Sequence, residues 1–415
     1  MKTMLKQGLL AAALLTSTAP VAMAQECADA DRVPITWSTI AGFYTDAMAK
    51  LVSGFEAGHC VKVNVVNIDN SQLYNKQVIE MVGQTGAYDV VTLETSEKAE
   101  FAENGFILPM TEYFADKKAQ LDDVAPTLAA LTTQYKGDVW GLPYYTYTAG
   151  YIAEFFTRKA GETLKGEKLT KDFYGVGLMA GPFPEIQDEM SGVLWSQGAD
   201  WLTGEGKVPV DAVEKAMNDY LELVKYAPPA ALTVTYDGVM NQMKDGQIAQ
   251  TYSFFLDQWP NAVQTEKVAG AQMGVAEAPE KKAYIGGFLL AVSASSAHPK
   301  EAMDFVAYIG GHDAQMEFAK AGGTSTLMSV LSDPAFAAPE SRAKTGHFAT
   351  LLEIFESMKG FRSNLFDTPF GAKIYNTMQI PLQSAAAGQI SARQAAEQLA
   401  GEVEKICGGP CPIGK

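Results

Sequence analysis

Residues 135–156, YKGDVWGLPYYTYTAGYIAEFF, place four phenols, Tyr144, Tyr145, Tyr147 and Tyr151, in one short stretch. A phenol offers an apolar face and a hydrogen-bonding tip. Such a segment suits core packing, or a strand that crosses between two lobes and lines a cleft, and both readings stand at this point. Several familiar catalytic patterns fail on detail. Gly175-Val176-Gly177-Leu178-Met179-Ala180 mimics a dinucleotide-binding loop, but it falls within a strand, and Pro182 and Pro184 follow where the phosphate-binding helix should begin. Leu194-Trp195-Ser196-Gln197-Gly198 lacks the leading glycine of a hydrolase elbow. His59, His298, His312 and His347 are scattered without paired spacing, which argues against a histidine metal site. Carboxylates are plentiful, so a pair of acids acting on a glycosidic bond stays open.

The ends of the chain set the compartment. Lys2 and Lys6 precede an apolar run over 9–15, and Ala22-Met23-Ala24 then supplies the small-residue site of a secretory signal peptide cleaved after Ala24. The run is too short for a membrane anchor, and Ala24-Gln25-Glu26 before Cys27 does not form a lipobox. The expectation is an exported, periplasmic protein. The formal net charge is −16, and removing residues 1–24 takes away two lysines and no acid. An acidic chain of this kind is a poor partner for nucleic acid or anionic membrane.

Four cysteines, Cys27, Cys60, Cys407 and Cys411, lie near the ends of the mature chain. In an oxidising compartment an even number suggests two disulfides, with three possible pairings. Cys27 and Cys60 each precede a strand. If those strands are parallel neighbours, both cysteines fall at one sheet edge, which favours Cys27–Cys60 and leaves Cys407–Cys411 closing over Gly408-Gly409-Pro410. A zinc site is disfavoured because His59 is the only histidine near a cysteine.

Periodicity predicts strands over 33–38, 61–66 and 88–93, alternating with helices over 43–56, 71–82 and 96–104. That rhythm implies a parallel sheet with right-handed crossovers. A second region carries strands over 173–179, 248–255, 272–276 and 285–292. Its helices cover 185–197, 210–226, 236–244, 297–310 and 312–321. From 341 onward the pattern is helical, over 342–358, 368–387 and 391–406. Two α/β regions and a helical tail do not make a closed eight-fold barrel.

In this order the blocks VPITWST, FEAGHCVKVNVV, YDVVTLETSEKAEFAENGFILPM, the 135–156 stretch, LWSQGADWLTGEGK, VMNQMKDGQIAQTYSFFLDQWPNA, YIGGFLLAVSASSAHPKEAMDFVAYI and AGGTSTLMSVLSDP resemble the family 1 extracellular solute-binding proteins, the periplasmic sugar-binding components of ABC importers. The resemblance covers nearly the whole mature chain. It implies a two-lobe α/β periplasmic-binding-protein fold of type II with a ligand cleft between lobes joined by crossing strands. The implied lobes are 25–145 plus 286–325, and 146–285 plus 326–415. The chain departs from the family pattern in YIAEFFTRKA, which lacks the common Tyr-Asn-Lys. It departs again at Tyr147, where Asp often stands, so the ligand is expected to differ from that of the common disaccharide binders.

In such a cleft, aromatic faces stack on a sugar while carboxylates, amides and glycine N–H groups meet its hydroxyls. On that basis the candidate contacts are Trp37 and Ser38 at the end of the first strand, Gln72 with Tyr74 on the following helix, and Glu94 and Thr95 at the end of the third strand. Tyr144, Tyr145 and Thr146 come from the crossing, with at least one tyrosine on the ligand. Trp195 and Trp259 supply aromatic faces, Trp259 being the strongest single candidate. Gly286-Gly287 permits close backbone approach, Gly322-Gly323-Thr324 marks a helix end and third crossing, and Arg362 is a further contact. Arginines are few, namely Arg32, Arg158, Arg342, Arg362 and Arg393 in the mature chain. Anions favour bidentate arginine, so a neutral, hydroxyl-rich ligand is expected. The reading is therefore a monomeric binding protein without cofactor or metal that delivers a carbohydrate or polyol to a membrane ABC permease. A secreted carbohydrate-active enzyme with two cleft carboxylates is the alternative, and a ligand-loaded sensor partner a third.

Overall fold

The computed structural model describes residues 27–156, 174–263, 271–277 and 282–414. The proposed signal peptide and Arg158 lie outside the described residues. The β-branched runs VPITWSTI and VKVNVVNI form β1 (Val33–Ile40) and β2 (Val61–Ile68), parallel from Val33 opposite Val61 to Ile40 opposite Ile68. The connecting helix α1 (Phe43–Gly58) buries Met48, Leu51, Val52 and Phe55 at helical spacing. Helix α2 (Asn70–Gly83) starts where the Asp69 side chain accepts from the Ser71 N–H, and it leads to β3 (Val90–Glu94). The register sets Cys27 beside Cys60, and the two are bonded with Cα atoms 5.6 Å apart.

Helices α3 (Lys98–Glu103), α4 (Lys118–Asp123) and α5 (Pro126–Thr132) follow, then the small hairpin of β4 (Gln134–Tyr135) and β5 (Asp138–Val139). Strand β6 (Leu142–Thr146) enters the first sheet at its edge, and β7 (Ala149–Phe156) belongs to a second sheet. Between the two, Tyr147 and Thr148 carry the chain across. The second region has α6 (Glu185–Ser196), α7 (Val210–Val224), α8 (Tyr236–Lys244), β8 (Phe254–Phe255), α9 (Trp259–Ala262) and β9 (Ala271–Ala276). Strand β10 (Gly287–Val292) returns to the first sheet, whose order is β2-β1-β3-β10-β6, with β10 antiparallel to both neighbours. The second sheet, β8-β7-β9, is antiparallel. The two crossings lie side by side: Tyr147 N–H donates to Gly286 at 3.2 Å and Ala149 N–H to Tyr284 at 2.8 Å. A third pass follows α10 (Pro299–Ile309) and α11 (His312–Lys320). There the Thr326 carbonyl accepts from Ala125 N–H, and the Thr326 hydroxyl donates to Pro143.

Some expected elements are broken up. Of the strand expected over 173–179, residue 173 lies outside the described residues, and the rest is held only by single parallel bridges, Tyr174 to Ile248 and Gly177 to Thr251. The strand expected over 248–255 shortens to Phe254–Phe255 because Ser253 takes a left-handed φ of 44°, which interrupts extended chain. After α12 (Met328–Leu331), the single helix expected over 342–358 divides into α13 (Arg342–Thr345) and α14 (Phe348–Ser357). Gly346 sits at the break because a Cβ there would meet Trp259 Nε1 at 2.7 Å. Helices α15 (Gly371–Ala386) and α16 (Ala392–Cys407) close the fold against α6 and α7. Ser391 and Gln394 form a capping box at the start of α16, and Gly408 ends it in the left-handed region. Cys407 is bonded to Cys411 across that turn.

Two predictions follow from this framework. Cys27–Cys60 closes a loop of 33 residues, so replacing both with serine should lower unfolding free energy by about 3–4 kcal/mol in urea titration. His347, at the α13–α14 break, is fully buried with Nε2 2.9 Å from the Thr324 hydroxyl, and burial pushes its pKa down to about 3 from 6.5. Because the folded value lies below the unfolded one, the neutral ring's contribution is complete above pH 6.5 and is lost as pH falls toward 3. His347→Gln should flatten that part of the acid limb in denaturation measured between pH 7 and 4; an unchanged slope would refute it.

Candidate functional site

Where the crossings meet, side chains from both sheets converge. Glu94, at the end of β3, accepts hydrogen bonds from the Ser96 N–H at 3.0 Å, the Ser96 hydroxyl and the Tyr147 hydroxyl. Tyr147 is the first residue of the crossing, and its ring lies over Gly286 of the returning chain, where a Cβ would come 2.2 Å from the ring. From the second region, Asp188 on α6 accepts from the Tyr375 hydroxyl of α15 at 2.9 and 3.1 Å. Between these two pairs lies Tyr284, fully buried, stacked on Trp195 (centroids 6.0 Å, interplanar 6°) and on Tyr147 (6.1 Å, 30°). Phe255 and Phe288 pack against Tyr147, and Phe361 against Trp195.

The electrostatics are those of buried acids. Burial raises the Glu94 carboxyl, opposed by its hydrogen bonds from Ser96 and Tyr147. Burial pushes Asp188 well above the usual range, and the negative charges of Glu185 and Glu94 add to it. Glu94, at the end of β3, and Asp188, on α6, are near enough to repel each other. Glu97 is pushed well up by burial and by Glu94, whose N–H it accepts at 2.9 Å. Burial, then Asp188 and Glu94, push the Tyr284 phenol well up. The arrangement sets the carboxylates of Glu94 and Asp188 about the aromatic faces of Tyr147, Tyr284 and Trp195. Among the described residues no set of three His, Cys, Asp or Glu is arranged to hold a metal ion.

The structure distributes the sequence candidates unevenly. Glu94 and Trp195 belong to this cluster, although the Trp195 N–H is turned outward to Asp200. Thr95 and Gly287 lock β3 to β10 through the Thr95 hydroxyl and both backbones. Gly286 and Thr146 form the crossing itself, Thr146 donating to the Gly286 carbonyl at 2.8 Å. Tyr145 stacks on Phe288 and donates to Asp257 at 2.6 Å, at the margin of the cluster. Others pack elsewhere. Trp37 is fully buried in the first core, its N–H on Thr92 and its ring edge-on to Tyr144 and Phe305. Tyr144 is buried with it, and Ser38 accepts from Gln77. Gln72 is exposed, and Tyr74 donates to Glu100. Trp259, the strongest sequence candidate, is 1% exposed, donates to the Arg342 carbonyl at 2.6 Å and is covered by the Arg342 guanidinium. Its strand-end position instead serves the packing of α13 on α9. Arg362 makes a bidentate pair with Asp367. Thr324 contacts His347.

Tyr147, Asp188, Tyr284 and Tyr375 were not among the sequence candidates. Tyr147 was visible as a departure from the family pattern, and Tyr284 lies two residues before a flagged Gly-Gly pair. Asp188 and Tyr375 are 187 residues apart and meet only through helix packing, for which no local signal exists.

Two lobes joined by crossing strands, with acids and aromatics from both converging at the crossings, define a binding protein that holds its ligand between domains. Its family follows from sequence comparison: the model for bacterial extracellular solute-binding proteins matches residues 41–316, and the chain belongs to that family. Membership places it outside the cytoplasmic membrane. No curated protein matches the chain in sequence. Solved structures share the fold. The ABC transporter solute-binding protein of Agrobacterium radiobacter K84 in complex with ribitol is 22% identical, with a TM-score of 0.73 over 91% of this chain and 99% of that one. Maltose-bound MalE3 of T. maritima gives 19% and 0.72 over 90% and 100%. The Agrobacterium vitis S4 protein with bound D-mannitol gives 19% and 0.69 over 90% and 97%.

The geometry separates two roles. Gly286→Ala should drive a methyl into Tyr147, displace it from Glu94 and weaken ligand binding at least tenfold by calorimetry. Trp259→Phe should lower unfolding free energy by about 1–3 kcal/mol through the unpaired Arg342 carbonyl and leave the ligand Kd within twofold. Loss of binding in Trp259→Phe would return that residue to the site.

Proposed function

We propose that the protein captures a carbohydrate or polyol in the space between Glu94 and Asp188 and delivers it to a membrane ABC permease. The observation that carries this reading is the meeting of two phenol–carboxylate pairs, Tyr147–Glu94 at the end of the first sheet and Tyr375–Asp188 between α15 and α6, around the Tyr284–Trp195 stack. Ligand contact with both acids would hold the lobes together, which is how a binding protein couples capture to hinge closure. The ribitol and mannitol carried by two proteins of the same fold support a hydroxylated ligand. The commitment of Arg362 to Asp367 supports a ligand that is not an anion. The lobes are read as 25–145 with 286–325, and 146–285 with 326–415, in keeping with the grouping of β1, β2, β3, β6 and β10 in one sheet and of β7, β8 and β9 in another. On this reading the chain works as a monomer, without catalysis or nucleic acid, after cleavage of residues 1–24.

A pair of raised carboxyls across a cleft is also what a glycosidase uses, so binding and turnover must be measured together. A thermal-shift screen of pentitols, hexitols and mono- and disaccharides should find a stabilising ligand. At a thousandfold excess over Kd the gain is about 4 kcal/mol. The ligand should be recovered unchanged after prolonged incubation, and Asp188→Asn should remove most of the shift. Product formation, or a full shift in Asp188→Asn, would overturn the reading.

A further inference from the structure

The donor and acceptor inventory of the same space carries a narrower conclusion about ligand class, resting on its being the ligand site. Glu94 and Asp188 hold charge-accepting lone pairs. The phenols that touch them, Tyr147 and Tyr375, each have one proton and have already given it to these carboxylates. Glu185 lies beside Asp188, and Glu97 lies behind Glu94. Tyr284, fully buried in their midst, has its hydroxyl beside the Asp188 carboxylate and the Tyr147 and Tyr375 hydroxyls. The phenol protons of this cluster face its carboxylates, and what is left for a ligand is chiefly acceptors.

The neighbouring cations are engaged elsewhere. The Lys98 ammonium is fully buried on the carbonyls of Leu131 and Gln134 at 2.7 and 2.8 Å. Arg362 is paired with Asp367. Lys282 stands over the Phe361 ring, 5.6 Å from its centroid. Lys373 acts on Glu100. A buried pair of carboxylates without a counter-charge is costly. A neutral hydroxyl brings one donor and two acceptors, whereas an ammonium brings three donors, no acceptor and the missing charge. The faces of Tyr147, Tyr284 and Trp195 also suit a cation.

We propose that the preferred ligand is an amine-bearing sugar or polyol, held as its ammonium between Glu94 and Asp188. Matched pairs test it by calorimetry on the purified mature chain at pH 7.5: ribitol with 1-amino-1-deoxyribitol, sorbitol with glucamine, and glucose with glucosamine and N-acetylglucosamine. The amine should bind at least tenfold tighter than its hydroxyl and N-acetyl counterparts, and its affinity should fall on raising salt from 0.05 to 0.5 M. Asp188→Asn and Glu94→Gln should each reduce amine affinity more than polyol affinity. Their unliganded melting curves establish that both variants fold. Equal or tighter binding of the hydroxyl member overturns the amine preference while leaving the carbohydrate reading in place. Failure of every member to bind overturns both.

Discussion

A carboxylate leaves water only when something meets its lone pairs, and in this chain that partner is repeatedly a phenol. The protein carries 48 acids against 32 Lys and Arg, together with 17 tyrosines. Tyr220 donates to Glu189 at 2.5 Å in the second core, where burial raises the acid to about 8. Tyr145 likewise holds the buried Asp257. A phenol donates one hydrogen bond and presents an apolar face, so it lets an acid enter a core without importing a cation. At the crossings the same device leaves two such acids close together, and burial raises both.

That juxtaposition depends on close backbone approach. The carbonyl of Gly286 accepts from both the Tyr147 N–H and the Thr146 hydroxyl, and the missing side chain makes room for the Tyr147 ring. Gly287 comes close to the Tyr145 carbonyl, where a Cβ would lie at 2.8 Å, and its own N–H reaches the Thr95 hydroxyl. The third pass is pinned by Gln315, buried and donating to the Tyr144 and Ile309 carbonyls while accepting from Ser325. The crossings are therefore braced along their length, and their geometry sets where Glu94 and Asp188 face one another.

The elements of the first lobe were legible in the sequence because each is a strong local pattern: alternating β-branched strands, amphipathic helices and glycine stops. The second sheet was less so. Its strand pairs are short, and a single left-handed residue, Ser253, undoes what β-propensity suggests for 248–255. The site divided the same way. Strand-end logic pointed to Glu94, and glycine's freedom to Gly286 and Gly287; the structure places all three at the crossings. Trp37 and Trp259 pack into cores instead, since the strand-end rule identifies an edge of the sheet and not which side of that edge a ring packs on. Asp188 and Tyr375 were hidden because their meeting is decided by how α15 docks on α6, a tertiary contact without sequence periodicity of its own.

The distribution of indoles has an optical consequence. Of five tryptophans, Trp37, Trp201 and Trp259 are sealed in cores with their N–H groups on Thr92, Ser191 and Arg342, and Trp140 bonds to the Tyr135 carbonyl in the hairpin region. Trp195 alone stacks on a residue of the cluster, Tyr284. A change confined to this cluster would therefore alter emission largely through a single chromophore, Trp195, with the other four indoles left in their own settings.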